Sequence, residues 1–305
     1  MPLATRVGAR HHYPPSDSGT GAGSIKVAVV QTRKTVPTPK PRLTFRLAKE
    51  WTFDEGRRIG SDGGFGDVFE GRAADGTSVA IKRIRRVTPG LGTGEVKIAR
   101  ALMSRDMDHV IPILDAGKDP LTGDNFVVMP RADESLQDRL DRDGPLVDED
   151  AMTVLLEVLT GLQEMKRIVH GDLKPANVLF HEGRWKLADM GIARLLDEGP
   201  SHISARMFVS EPYAAPEQWK FEPATRATDV YAFGCLAYAV LTGEPPFPGP
   251  TQQDFCVQHL KATPRPLPAS GPVRALVQMC LTKDRAARPS IETAMTLLKR
   301  AWGKR

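Results

Sequence analysis

The stretch from Gly60 to Val68, Gly-Ser-Asp-Gly-Gly-Phe-Gly-Asp-Val, places four glycines in nine residues. Glycine has no Cβ, so a turn rich in it can bring backbone N–H donors close to the oxygens of a phosphate. The cluster runs on to Val79-Ala80-Ile81-Lys82, an apolar run closed by a lysine. An ammonium buried at the end of such a run is costly unless a carboxylate meets it, and Glu95 stands where one could. Further polar strings follow: His170-Gly171-Asp172-Leu173-Lys174-Pro175-Ala176-Asn177-Val178-Leu179, Ala188-Asp189-Met190-Gly191, Ala215-Pro216-Glu217, Asp229 to Gly234, and Arg288. Taken singly, a glycine cluster is often just a turn, a strand-end lysine is exposed and a loop carboxylate is solvated. Their order along one chain asks for more.

The elements between these strings alternate in character. Val68 to Arg72 and Ser78 to Lys82 read as strands joined across Asp75-Gly76, a hairpin turn signal. Val87 to Gly94 holds one proline and three glycines and reads as a flexible connection, with a helix starting near Glu95 and burying Val96, Ala99 and Leu102. Ile111 to Leu114 and Asn125 to Met129 read as two more strands. Ala151 to Met165 has the apolar spacing of a helix, with Asp148 as its expected cap. Two short strands flank Glu182-Gly183, and helical patterns dominate after Asp229, interrupted by eight prolines between Pro245 and Pro272. Strands first and helices later in one chain indicate an α+β fold with two lobes, β-rich over about 50–131 and helical over about 132–303.

The order and spacing of the polar strings resemble the signature set of eukaryotic-type serine/threonine protein kinases, in a bacterial-type form, over roughly residues 51–303. The resemblance implies an enzyme that uses ATP and Mg²⁺ (or Mn²⁺) to phosphorylate Ser and Thr hydroxyls of proteins, its own included. Phosphoryl transfer is mostly positioning and neutralisation of charge. By resemblance, Gly60, Ser61, Gly63, Gly64, Phe65 and Gly66 cover the phosphates, Lys82 holds the α- and β-phosphates, and Glu95 fixes Lys82. Val68, Ala80 and Leu179 sandwich the adenine, Met129 guards the back of its pocket, and the backbone of Pro130-Arg131-Ala132 hydrogen-bonds it. Asn177 and Asp189 supply the oxygen ligands that suit a hard cation. Asp172 orients the acceptor hydroxyl and takes its proton, and Lys174 lies near the γ-phosphate. Asp229 holds the backbone of the catalytic loop, Glu217 and Arg288 form a buried ion pair, and Ser210 contacts the catalytic loop.

Three positions depart from the usual pattern. Ser61 replaces the first glycine of the loop triplet, and Met190 replaces a phenylalanine after the metal-binding Asp189, a slot an adaptable apolar side chain can fill. Gly171 stands where most regulated kinases carry arginine before the catalytic aspartate. His-Gly-Asp-Leu also occurs in small-molecule kinases that resemble aminoglycoside and choline phosphotransferases. Lys174, the glycine loop and the Ser210-to-Glu217 segment favour a protein substrate instead. A catalytically inactive scaffold is the other alternative, and retention of Lys82, Asp172, Asn177 and Asp189 argues against it.

Composition sets the remaining bounds. The 305 residues are 41% hydrophobic and carry three cysteines, Cys235, Cys256 and Cys280, without metal-like spacing. These read as reduced thiols of a cytoplasmic protein. The longest apolar candidate, Phe233 to Leu241, is too short to span a membrane, and the N-terminus lacks the apolar core of a secretory signal. Residues 1–49 hold nine Lys/Arg and one acid, Asp17, while the remainder holds 33 basic and 36 acidic residues. The basic character therefore belongs to a Pro/Gly-rich extension, not to a nucleic-acid-binding fold. That extension is expected to be flexible and to serve for docking to a partner or an anionic surface. Ile25 to Val30 could add a strand, but otherwise it carries little that could pack, so removal of residues 1–45 is expected to spare the fold.

Overall fold

The protein is described from a computed structural model at residues 42–60, 66–84, 91–189, 194–195, 210–269 and 271–302. Six strands, β1 (Arg42–Arg46), β2 (Glu50–Arg58), β3 (Gly66–Ala73), β4 (Ser78–Ile84), β5 (Asp115–Lys118) and β6 (Asn125–Pro130), form one antiparallel sheet. Their order is β1-β2-β3-β4-β6-β5. Side chains alternate across a strand, and here each face has its own core. Val79 and Ile81 join Phe45, Trp51, Phe53, Phe69, Phe126 and Val128 on one face. Ala80 and Ile84 join Val127, Met129 and residues of the first helix on the other. The same alternation places Lys82, between Ala80 and Ile84, on the helix-facing side.

That helix, α1 (Leu91–Met103), begins four residues before the expected Glu95. Gly92 and Gly94 each cost it roughly 1 kcal/mol in propensity, but burial of Val96, Ile98, Ala99 and Leu102 outweighs the loss. Part of the connection read as flexible is therefore helical; residues 85–90 lie outside the described residues. Ile111 to Leu114 is not a strand. Pro112 has no N–H to give a ladder, and the segment bonds singly, Ile111 N to Leu187 O at 2.9 Å and Leu114 N to Val128 O at 2.8 Å. The strand proper begins at Asp115.

The basic extension also ends earlier than expected. β1 lies within residues 1–49 and pairs with β2, Phe45 opposite Trp51. Phe45 is 3% exposed and stacks on Phe126 with ring centroids 4.0 Å apart. Asp115 secures the corner by accepting from Trp51 Nε1 at 2.8 Å and from Lys49 N at 3.1 Å. The sheet is thus built in part from residues assigned to the tail. Ile25 to Val30 lies outside the described residues.

The second lobe is helical: α2 (Leu136–Asp143), α3 (Asp148–Glu164), α4 (Pro216–Trp219), α5 (Arg226–Thr242), α6 (Gln252–Lys261), α7 (Gly271–Cys280) and α8 (Ile291–Trp302). Every residue of α5 from Thr228 to Val240 is buried, so this helix is the axis around which the lobe packs. Asp148 does not cap α3; Val147 occupies the cap position, and Asp148, Glu149 and Asp150 form an acidic first turn that suits the helix dipole. Short strands β7 (Glu134–Ser135), β9 (Val178–His181) and β10 (Arg184–Leu187) make a small sheet, and β8 (Ile168–Val169) pairs with β11 (Arg194–Leu195). Glu182 and Gly183 both have positive φ, as a tight two-residue hairpin requires.

Candidate active site

The cleft side of the sheet and the loops after β8 and β10 bring the charged residues together. Lys82 is 2% exposed. Its Nζ lies 2.8 Å from Glu95 Oε1 on α1 and also bonds Asp189 Oδ1 from the opposite lobe. Burial works against the ammonium, but the two carboxylates win and hold its pKa above the ordinary lysine range. Burial and the Asp189 charge push the Glu95 carboxyl up, and its Oε2 is buried with no partner. Asp189 is held below the usual carboxylate range: burial opposes this, and the Lys82 charge overcomes it.

The catalytic-loop string owes its shape to buried polar bonds. Asp229, at the start of α5, accepts from His170 N at 3.0 Å and from Gly171 N at 2.8 Å. Gly171 adopts φ +75°, a conformation that side-chain-bearing residues reach only with strain. The His170 ring spans the loop: Nδ1 accepts from Asp172 N at 3.3 Å, and Nε2 donates to Ala188 O at 3.1 Å, beside Asp189. Asp172 is 6% exposed. Its Oδ2 accepts from Lys174 Nζ at 3.0 Å and Asn177 Nδ2 at 3.0 Å, and its Oδ1 accepts from the Ser210 hydroxyl. Lys174 Nζ also donates to Ser210 Oγ at 2.8 Å. A hydroxyl donating to a buried carboxylate beside an ammonium has the arrangement that general-base attack on phosphorus requires.

Apolar residues line the adjoining space. Val68 and Leu179 are partly buried and pack on the cluster that contains Ala80 and Met129, one from each lobe. A cavity of about 20 Å³ lies behind Met129, walled by Ala99, Leu102, Ile111, Ile113 and Val127, with Lys82, Glu95 and Asp189 at its polar end. The donor set fits a magnesium–nucleotide. Mg²⁺ takes one or two protein oxygens and the rest from phosphate and water. Asp189, a third exposed, and Asn177 are such donors, and their segments are tied by Ala188 N to Asn177 O at 2.9 Å.

Not every expected site residue has the expected surroundings. Gly66 is required by the sheet, since a Cβ there would lie 2.5 Å from Arg83 O. Gly60 has φ +79° with open space around it; Ser61, Gly63, Gly64 and Phe65 lie outside the described residues. The Arg131 side chain pairs with Glu70 of β3 at 2.8 Å, and Ala132 follows it, half-buried. One contributor escaped the sequence reading: Gln218 accepts from Ala215 N at 2.9 Å and donates to Gly171 O at 2.8 Å, joining α4 to the catalytic loop. Its signal is a glutamine three residues after a helix entry, a capping pattern. The supporting pairs stand as expected: Arg288 reaches both Glu217 oxygens, at 2.7 and 2.9 Å.

A six-stranded sheet over a helical lobe, with a paired lysine and a carboxylate-bearing loop between them, defines a bilobal kinase-like fold. Residues 53–302 match the family model for the protein kinase domain, and the chain belongs to the protein kinase family. It is 33% identical over 238 residues to a probable serine/threonine-protein kinase of Corynebacterium efficiens, covering 73% of this chain and 35% of that one. It is 33% identical over 255 residues to the serine/threonine-protein kinase pkn2 of Myxococcus xanthus, covering 76% and 30%. With the serine/threonine-protein kinase PknA of Mycobacterium tuberculosis it shares 31% over 263 residues, 81% of this chain and 60% of that one. The chain thus spans about a third of the length of the first two relatives.

Proposed function

We propose that this chain is an ATP- and Mg²⁺-dependent serine/threonine protein kinase, able to phosphorylate itself. The observation that carries the reading is the Asp172 carboxylate, buried and already accepting a bond from a serine hydroxyl with Lys174 alongside. When bound, the metal supplies charge neutralisation on the phosphates; Asp189 and Asn177 would hold it. Lys82, steadied by Glu95, would hold the α- and β-phosphates, and residues 60–66 would cover them. Val68, Ala80 and Leu179 would clasp the adenine, Met129 would close its back, and the backbone of Arg131 and Ala132 would hydrogen-bond its edge. Asp172 would take the acceptor proton as the hydroxyl oxygen attacks the γ-phosphorus, and Lys174 would draw charge from the transferred group.

The acceptor would be a protein: Ser210 sets the start of the Ser210-to-Glu217 segment against Asp172, where an extended peptide would lie. The three cysteines are free thiols, in keeping with a cytoplasmic site of action. No helix among the described residues is long and apolar enough to cross a membrane. Residues 1–41, with six Lys/Arg and one acid, would serve as an electrostatic docking arm. The test of the activity is transfer from γ-labelled ATP to a mixed protein substrate, followed by phosphoamino-acid analysis. Phosphoserine and phosphothreonine are expected, and phosphotyrosine alone would contradict the acceptor class.

A further inference from the structure

The peptide units leading into Asp172 are held one after another. Asp229 accepts from His170 N at 3.0 Å and from Gly171 N at 2.8 Å, which fixes the units 169–170 and 170–171. The next unit carries the carbonyl of Gly171 and the N–H of Asp172. Gln218 Nε2 donates to its oxygen at 2.8 Å, and the His170 ring accepts from its N–H at a longer 3.3 Å. That unit is the one most able to turn. Gly171 sits at φ +75°, and without a Cβ its backbone rotates against little steric resistance. A turn of the 171–172 plane shifts the Cα–Cβ bond of Asp172, and with it the carboxylate that meets Ser210, Lys174 and Asn177.

Gln218 is itself anchored. Its side chain is half-buried, and its Oε1 accepts from Ala215 N at 2.9 Å. A carbonyl oxygen can only accept and an amide nitrogen only donate, so the two bonds fix which end of the amide faces the catalytic loop. The adjacent Glu217 is buried and held by Arg288 at 2.7 and 2.9 Å and by the Thr228 hydroxyl at 2.8 Å. The amide therefore reaches the loop from a helix, α4, that a buried ion pair keeps in place.

We infer that Gln218 is a positioning residue for the general base: its amide N–H fixes the 171–172 peptide unit and so aims the Asp172 carboxylate at the acceptor hydroxyl. The link joins an uncharged amide to a backbone carbonyl, so it needs no added phosphate to form. The inference rests on the protein kinase reading.

The experiment separates the two ends of the amide. Gln218→Glu keeps an acceptor for Ala215 N but loses the donor to Gly171 O until the introduced carboxyl is protonated. A carboxylate facing a carbonyl oxygen in a half-buried place titrates above its ordinary range. Gln218→Met loses both bonds. Steady-state kcat and the KM values for ATP and a serine peptide are measured on the full chain from pH 6 to pH 9, with melting temperatures alongside. Expected for Gln218→Glu at pH 9 is a kcat about tenfold below wild type with both KM values changed less than about twofold, the pattern of an interaction made in the transition state. The ratio of variant to wild-type kcat should climb toward one as the pH falls to 6, because the protonated carboxyl donates to the carbonyl again. Gln218→Met should lose about as much at every pH. A Gln218→Glu ratio that does not change with pH, or a Gln218→Met kcat equal to wild type, would overturn the inference. So would a loss in kcat/KM that lies wholly in the KM values. If Gln218→Met does not fold, the pH dependence of Gln218→Glu decides alone. A wild-type chain that transfers no phosphate refutes the kinase reading itself, a result distinct from all of these.

Discussion

Two carboxylates share one ammonium in the cleft, and the imbalance is a property of single residues. Lys82 neutralises Asp189, leaving Glu95 with its carboxyl pushed up and one oxygen unpartnered. Phosphates brought to Lys82 and a cation brought to Asp189 would redistribute those charges. Asp189→Ala should therefore remove most of the Mg²⁺ dependence of nucleotide binding, measured by titrating a fluorescent ATP analogue with and without metal. Coincident Mg²⁺ titrations of variant and parent would contradict the metal assignment. Gly66 makes a different case: in sequence it counts among phosphate-facing glycines, yet its environment is the Arg83 carbonyl on the neighbouring strand. Gly66→Ala should destabilise the protein by about 1–3 kcal/mol through the forced backbone shift, read as a lowered urea midpoint. Which reason a glycine has cannot be read from its type; only the strand beside it tells.

At the scale of elements, what was legible is what has a period or a turn signal. The β3–β4 and β9–β10 hairpins, α3 and α5 follow from alternation, helical spacing and Asp-Gly or Glu-Gly turns. The start of α1, the strand at Asp115 and the edge strand β1 did not, because tertiary packing decided them: apolar burial overrode Gly92 and Gly94, and an alternating Leu43–Phe45 pair was hidden among basic residues. The truncation outcome follows from β1. Deleting residues 1–41 should leave the melting temperature near that of the full chain, whereas deletion through residue 49 should lower it sharply. Loss of Phe45 alone is worth about 3–5 kcal/mol by comparison with other buried Phe→Ala changes, and equal melting curves for both truncations would show that β1 adds nothing.

The ion pair under α4 gives a pH signature. Glu217 and Arg288 side chains are 3% and 0% exposed. Burial raises the Glu217 pKa, but Arg288 overcomes it and the net shift is below the ordinary 4.5. A carboxyl depressed in the folded state adds stability that is present above about pH 4.5 and lost as pH falls through the folded value. Glu217→Gln strands Arg288 and should cost about 3–5 kcal/mol at pH 7. The gap between the urea midpoints of variant and parent should narrow below pH 4.5; a gap constant from pH 7 to 3.5 would contradict the assignment.

Across the whole molecule, the arrangement is two lobes that bring separate sequence strings to one place: Lys82 from the sheet, Glu95 from α1, Asp172, Lys174 and Asn177 from one loop, and Asp189 from another. Those strings were legible together because chemistry fixes both their residue types and their order, even though none is informative alone. What escaped was support across long sequence separations, such as the bond from Gln218 to Gly171 O, which a local capping pattern does not announce. Gly171 also bears on regulation of the whole chain. It offers no guanidinium to read a phosphate on residues 192–210, so activity should survive phosphatase treatment and the Ser201→Ala/Ser204→Ala change with less than a tenfold loss, about 1.4 kcal/mol of barrier.

The central claim is that Asp172 serves a protein hydroxyl with phosphate from ATP. It is tested most directly by measuring γ-phosphate transfer to a serine peptide by wild type and Asp172→Asn at saturating Mg²⁺–ATP, with nucleotide affinity determined on the same samples. Transfer should fall by orders of magnitude in the variant, roughly 10²–10⁴-fold as for loss of a general base, with ATP affinity nearly unchanged. Equal turnover in the two proteins, or no transfer by the wild type, would contradict the claim.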